Sequence, residues 1–157
     1  MKKKVYLLTF IIFILDLLSK IVIKNTMSLY ESIVIIPKFF HITYVINDGA
    51  AFSILEGEQL FLIILSSFIL FFILNNLKKE SLNKYKIWYY SLLLGGLVGN
   101  LFDRILYKGV IDFLDFKIFG FNYPIFNLAD TFIVLSVFMM LIEMFRKELY
   151  GNNCRGK

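Results

Sequence analysis

Four long apolar runs, bracketed by clusters of basic residues, constrain this chain more than any other feature. They cover about Val5 to Ile23, Gln59 to Leu74, Ile87 to Phe102 and Phe126 to Phe145. Each approaches the ~20 apolar residues that a helix needs to cross the hydrocarbon of a bilayer. The second and third are shorter, a mismatch that flanking residues and local thinning absorb. A chain of 157 residues with such runs has room for one domain. Composition agrees: 59% of residues are hydrophobic and 18% charged, with mean hydropathy +0.73, against roughly 45–50% and about 25% in soluble domains. The expected fold is an α-helical integral membrane protein with four transmembrane helices. One membrane-embedded domain fills residues 1–157, with outward segments at 24–58 and 103–125.

Charge sets the orientation. Lys2, Lys3 and Lys4 precede the first run; Lys78, Lys79, Lys84 and Lys86 lie between the second and third; Arg146, Lys147, Arg155 and Lys157 follow the fourth. The opposite side holds fewer: Lys24, Lys38, Arg104, Lys108 and Lys117. By the positive-inside rule both termini are cytoplasmic. The net charge of +5 therefore reports topology, and nucleic acid is not expected as a partner. A lysine-led apolar run also describes a secretory leader, but no small-x-small cleavage site follows, and Asp16 and Lys20 interrupt it.

The outward segments are not plain linkers. Ile33 to Ile46 (IVIIPKFFHITYVI) is β-branched and aromatic with a proline break, which predicts two short strands in a small extracytoplasmic sheet. Asn47-Asp48-Gly49 then marks a turn. Asp103 to Pro124 is half apolar and reads as a short outward interfacial segment. The lone Cys154 and the lone His41 cannot build a zinc site or a disulfide. His41, on a strand-like stretch, reads as structural.

Ionisable residues within membrane runs are costly enough to suggest function. Asp16 and Lys20 stand four apart on one helix face. They read either as a self-neutralising pair or as a pair that orients a site near the outer face. Gly95 and Gly99 have the spacing that lets helix backbones approach closely. Asn100, Asp103 and Arg104 follow on one face. There an Asp–Arg clamp between helices is one reading, and an arginine that steadies an oxyanion is the other. Asn127 and Asp130, in Asn127-Leu128-Ala129-Asp130, fit an N-cap and a first-turn acid. Yet the topology also brings Asp130 to the level of Asp112. Two carboxylates in a partly dry site raise one pKa and share a proton, the device by which aspartic proteases activate water. Neither a Gly-x-Ser-x-Gly elbow nor a serine–lysine dyad spacing is present.

Five separated blocks resemble, in order, the bacterial lipoprotein signal peptidases (signal peptidase II). They are Asp16-Leu-Leu-Ser-Lys20, Asn47-Asp-Gly-Ala-Ala-Phe-Ser53, Gly95-Gly-Leu-Val-Gly-Asn-Leu-Phe-Asp-Arg104, Gly109-Val-Ile-Asp-Phe113 and Phe126-Asn-Leu-Ala-Asp-Thr131. The resemblance runs from residue 16 to 131, with no departure at a position that the family uses for chemistry. It implies an aspartic endopeptidase at the outer face of the bacterial cytoplasmic membrane. Such an enzyme cuts diacylglyceryl-modified prolipoproteins just before the lipidated cysteine. The implied catalytic pair is Asp112 and Asp130. Asp16, Lys20, Asn47, Gly49, Asn100, Asp103, Arg104, Asn127 and Ala129 would position substrate or support the site. Ala50 and Ala51, beside Gly49, would admit the substrate backbone closely. No cofactor or metal is implied, and the partners are prolipoproteins and membrane lipids, with a monomeric enzyme. The alternatives are a proton-coupled transporter subunit, relaying through Asp16, Lys20 and Asp103, and a non-enzymatic four-helix membrane scaffold.

Overall fold

A computed structural model describes residues 1–49, 55, 57–118 and 121–152. Ala50, Ala51 and Cys154 lie outside them. Four helices, α1 (Lys2–Thr26), α2 (Gln59–Lys79), α3 (Lys84–Tyr107) and α4 (Leu128–Asn152), carry the apolar runs. They extend beyond most of the limits expected from hydropathy, because helices continue past the apolar stretch until a cap stops them. Asn83 caps α3 by accepting from the Lys86 amide at 2.8 Å, and Lys108 in the left-handed region (φ 57°) ends it.

Among the described residues, three helices are long and apolar enough to cross a membrane by length and composition: α1, α2 and Leu128–Arg146 of α4. α3 packs against all three of the others, which explains its polar and small residues. Its Ser91, Gly95, Gly96, Gly99, Asn100 and Asp103 are buried against protein. The outward faces of the other helices are apolar, with Phe10, Leu18, Leu60, Phe68, Phe71 and Phe138 each more than half exposed. A belt of this extent is suited to contact with lipid.

The glycines fix how closely the helices meet. A Cβ at Gly95 would lie 2.5 Å from Ile12 Cγ2 on α1, and one at Gly96 would lie 2.5 Å from the Ala129 carbonyl of α4. A Cβ at Gly99 would overlap the Asp16 carboxylate. The glycine face is therefore spent on packing within the chain.

Beyond the helices stands an antiparallel sheet of order β1-β2-β3-β4, with β1 Ser32–Ile36, β2 Phe40–Asn47, β3 Val110–Ile118 and β4 Phe121–Asn122. β1 and β2 are the two strands expected from the β-branched run, joined at Pro37-Lys38-Phe39 with Lys38 at φ 63°. Much of the segment 103–125 takes regular structure. Its first residues extend α3, and its VIDFLDFKI stretch pairs with β2, Asp112 opposite Val45 and Asn47 opposite Val110. Side chains alternate across a strand, so Ile111 and Phe113 enter a core with Ile23, Met27 and Tyr44, against which Leu114 also packs, while Asp112 between them points to the other face. That core seats the sheet on the end of α1.

Gly96→Ala should lower the thermal unfolding midpoint in detergent micelles by several degrees, since a backbone carbonyl cannot step aside and overpacking costs about 1–3 kcal/mol. An unchanged midpoint would show that α3 and α4 are free to separate.

Candidate active site

At the sheet end of the helices, α1, α3, α4 and β3 bring their polar residues together. The foundation is a buried ion cluster. The Lys20 ammonium lies 2.7 Å from Asp16 Oδ2 and 2.9 Å from Asp103 Oδ2, each side chain 1% exposed. Each carboxylate also holds a backbone amide on another element. Asp16 Oδ1 accepts from the Ala129 N–H at 2.9 Å, and Asp103 Oδ2 accepts from the Ile111 N–H at 3.1 Å. Ala129 precedes Asp130 and Ile111 precedes Asp112, so the cluster grips the backbone immediately before each carboxylate of the expected pair.

Asn127 joins that pair. It is fully buried, and its Nδ2 donates to Asp112 Oδ1 at 2.7 Å. Asn127 also caps α4 reciprocally with Asp130. The Asp130 amide donates to Asn127 Oδ1 at 2.9 Å, and the Asn127 amide donates to Asp130 Oδ2 at 3.2 Å. The cap expected from the sequence and the paired carboxylates are thus one structure. Asn100 Nδ2 donates to Asp130 Oδ1 at 2.7 Å, and Asn47 Nδ2 donates to Asp112 Oδ2 at 3.0 Å. Asn47 Oδ1 accepts from the Gly49 amide at 3.0 Å, which forms the expected turn.

Asp112 is 2% exposed. Burial, reinforced by the negative charge of Asp130, pushes its carboxyl up to about 7, against the hydrogen bonds from Asn47 and Asn127 and the charge of Lys20. A neutral acid on β3 beside a carboxylate at the N-terminus of α4, where the helix dipole favours negative charge, can give and take protons in one reaction.

One expectation changes. Asp103 does not clamp Arg104. Successive helix residues point about 100° apart, so Asp103 turns to Lys20 while Arg104 reaches the loop, its Nη2 donating to the Gly49 carbonyl at 3.3 Å. The Arg104 charge acts on Asp130, Asp112 and Asp103 together. Asp115 accepts from Thr43 Oγ1 at 2.7 Å. His41 pairs across the ladder with Asp115, away from the site.

An aromatic row went unread in the sequence. Phe116 packs on Phe39, Phe40 and Phe126, with ring centroids 4.6–5.7 Å apart. The phenylalanines set within the two β-branched stretches were the available signal. Among the described residues, no group of three or more His, Cys, Asp or Glu is arranged to hold a metal ion.

Comparison with known proteins agrees with this geometry. Residues 8–146 match the family model for signal peptidase (SPase) II. The chain is 39% identical to a lipoprotein signal peptidase of Staphylococcus epidermidis, over 95% of this chain and 96% of that protein. It is 36% identical to one of Halothermothrix orenii, over 94% and 99%. A solved bacterial membrane enzyme superposes with TM-score 0.85 at 34% identity, over 92% of this chain and 88% of that one. With the family model spanning most of its length and relatives alike from end to end, the chain belongs to the signal peptidase II family.

Proposed function

We propose that this membrane-embedded peptidase is an aspartic endopeptidase whose catalytic pair is Asp112 and Asp130. Its substrates are prolipoproteins carrying diacylglyceryl on the lipobox cysteine, cut just before that residue. The observation that carries the reading is Asn127, one buried residue that donates to both carboxyl groups, to Asp112 from its side-chain amide and to Asp130 from its backbone N–H. The family supplies the reaction, cleavage of a signal peptide from a lipoprotein, and the paired carboxylates supply a chemistry for it.

Asp130, as carboxylate, takes a proton from water as the water oxygen attacks the scissile carbonyl carbon. Asp112, neutral, gives its proton to the carbonyl oxygen. In the second half the tetrahedral intermediate collapses and the C–N bond breaks. Asp130 passes its proton to the departing nitrogen, and Asp112 recovers one from the collapsing hydroxyl. Asn100, Asn127 and Asn47 hold the carboxyl oxygens in place, and Arg104 ties the Gly49 backbone beside them.

The substrate is itself a membrane helix with two acyl chains, so its scissile bond lies at the bilayer surface. We place the pair at the outer face and both termini in the cytoplasm. The helix ends far from the site carry Lys2, Lys3, Lys4, Lys78, Lys79, Lys84 and Lys86, as the positive-inside rule asks. All four helices cross the bilayer in this reading, α3 shielded by its neighbours. The internal use of Gly95, Gly96 and Gly99 fits a monomer. Lys20 closed on Asp16 and Asp103 leaves the transporter relay without a free carrier.

Purified protein should cleave diacylglyceryl-modified prolipoprotein and spare the unmodified form, with or without chelator, in a gel-shift assay. Asp112→Asn and Asp130→Asn should each lose at least about a hundredfold while remaining folded, and Asp115→Asn should keep most activity. Full activity in either of the first two variants removes that residue from the mechanism.

The pH profile tests which residue is the acid. Asp112 is neutral below about 7, so kcat/KM should be full on the acid side of that value. It should fall towards tenfold per pH unit above it, with the same limb in Asp115→Asn. A profile flat to pH 9 would show that Asp112 does not deliver the proton.

A further inference from the structure

We propose that Lys20 is a positioning residue for the aspartate pair, acting through the orientation of the Asn100 amide and not only as a partner in an ion pair. The inference rests on the aspartic reading above and goes on to say what sets the donors that each carboxylate meets.

An ammonium has three N–H groups and no lone pair. Lys20 meets three acceptors, two by ion pairing (Asp16 Oδ2 at 2.7 Å and Asp103 Oδ2 at 2.9 Å) and one by a hydrogen bond, Asn100 Oδ1 at 3.1 Å. Two carboxylates already exceed its charge, so the third bond is not required for neutralisation. It has a different consequence. A side-chain atom of Asn100 that faces a group able only to donate must be the oxygen. The nitrogen of Asn100 is thereby turned to Asp130 Oδ1, at 2.7 Å. The same Asn100 oxygen accepts from Asn127 Nδ2 at 3.1 Å, which orients the second amide. Asn127 Nδ2 then serves Asp112 Oδ1 at 2.7 Å, and Asn127 Oδ1 receives the Asp130 amide.

One ammonium therefore sets the polarity of two amides in series, and through them the donor seen by each aspartate. Were Asn100 reversed, its oxygen would face a carboxylate oxygen, lone pair against lone pair, and its nitrogen would oppose two donors. No solvent is at hand to relieve either clash, since Lys20 is 1% exposed, Asn100 7% and Asn127 0%. Charges face this chain from every side: Asp16 on α1, Asp103 and Arg104 on α3, Asp112 on β3 and Asp130 on α4. Lys20 is the one among them that donates to the Asn100 oxygen, while Asp130 accepts from the nitrogen at the other end. It touches no substrate in this scheme, so its removal slows the chemical step and leaves substrate binding in place.

The test is a double-mutant cycle on kcat, with Lys20→Met, Asn100→Ala and the double variant, run with lipidated prolipoprotein on monodisperse, folded protein. Lys20→Met is expected to lower kcat about ten- to hundredfold, the worth of a hydrogen bond to a charged group, with KM within about twofold. Asn100→Ala should fall in the same range, and the double variant should be no slower than the slower single. Leu94→Ala, a buried α3 substitution away from the site, controls for lost stability and should keep kcat per folded molecule. If Lys20→Met alone fails to insert, Asp16→Asn with Lys20→Met leaves the buried net charge unchanged and replaces it in the cycle. Losses that multiply in the double variant, or a Lys20 variant with unchanged kcat, overturn the proposal while the aspartic reading stands. A wild type that cleaves no lipidated substrate, or a fully active Asp112→Asn, overturns that reading and this proposal with it.

Discussion

Burying a lysine ammonium among membrane helices is expensive unless every proton is met, and the fold is arranged around meeting those of Lys20. Its two carboxylate partners come from α1 and α3, and each reaches on to a third element: Asp16 to α4, Asp103 to β3. Four elements distant in sequence are drawn to one point in this way. The two backbone positions gripped are the neighbours of Asp130 and Asp112. The site is thus held by the cluster beneath it and not by the strength of its own hydrogen bonds.

The same economy divides the surface. Helices α1, α2 and α4 present apolar side chains outward, where lipid gives no reward for helix association. Association depends instead on close contact and on polar groups with no better partner. α3 supplies both, its glycines admitting α1 and α4 and its Asn100 and Asp103 binding Asp130 and Lys20. An interior that is polar at one end and close-packed elsewhere gathers the carboxylates at the sheet end of the helices.

Much of this was legible from residues alone. The apolar runs marked the helices, IVIIPKFFHITYVI marked β1 and β2, and Asn127 to Asp130 read as a cap. Asp16 and Lys20, four apart, could be paired by counting. The partner of Asp103 could not. Its neighbour Arg104 is the obvious cation, and only the packing of α1 on α3 shows that the carboxylate turns to Lys20. The segment from Asp103 to Pro124 was too apolar to be a solvated loop, and that was read as burial in the interface. Its burial comes from pairing with β2 on one edge and the chain before α4 on the other. A strand paired on both edges cannot be told from an interfacial stretch by composition, since both are aromatic and β-branched.

The sequence by itself determined that the chain is a membrane protein, which residues are costly there, and, through five ordered blocks, its family. These follow from local chemistry: apolar length, charge placement and spacing along one helix or turn. Only the tertiary structure decided that Asp112 and Asp130 share Asn127, that Asp115 meets Thr43, and that Lys20 donates to the Asn100 oxygen. Those facts depend on contacts between α1, α3, β3 and α4, which are remote in the chain. A hydrogen bond's direction is fixed by what lies at its far end, and no spacing along a sequence records that.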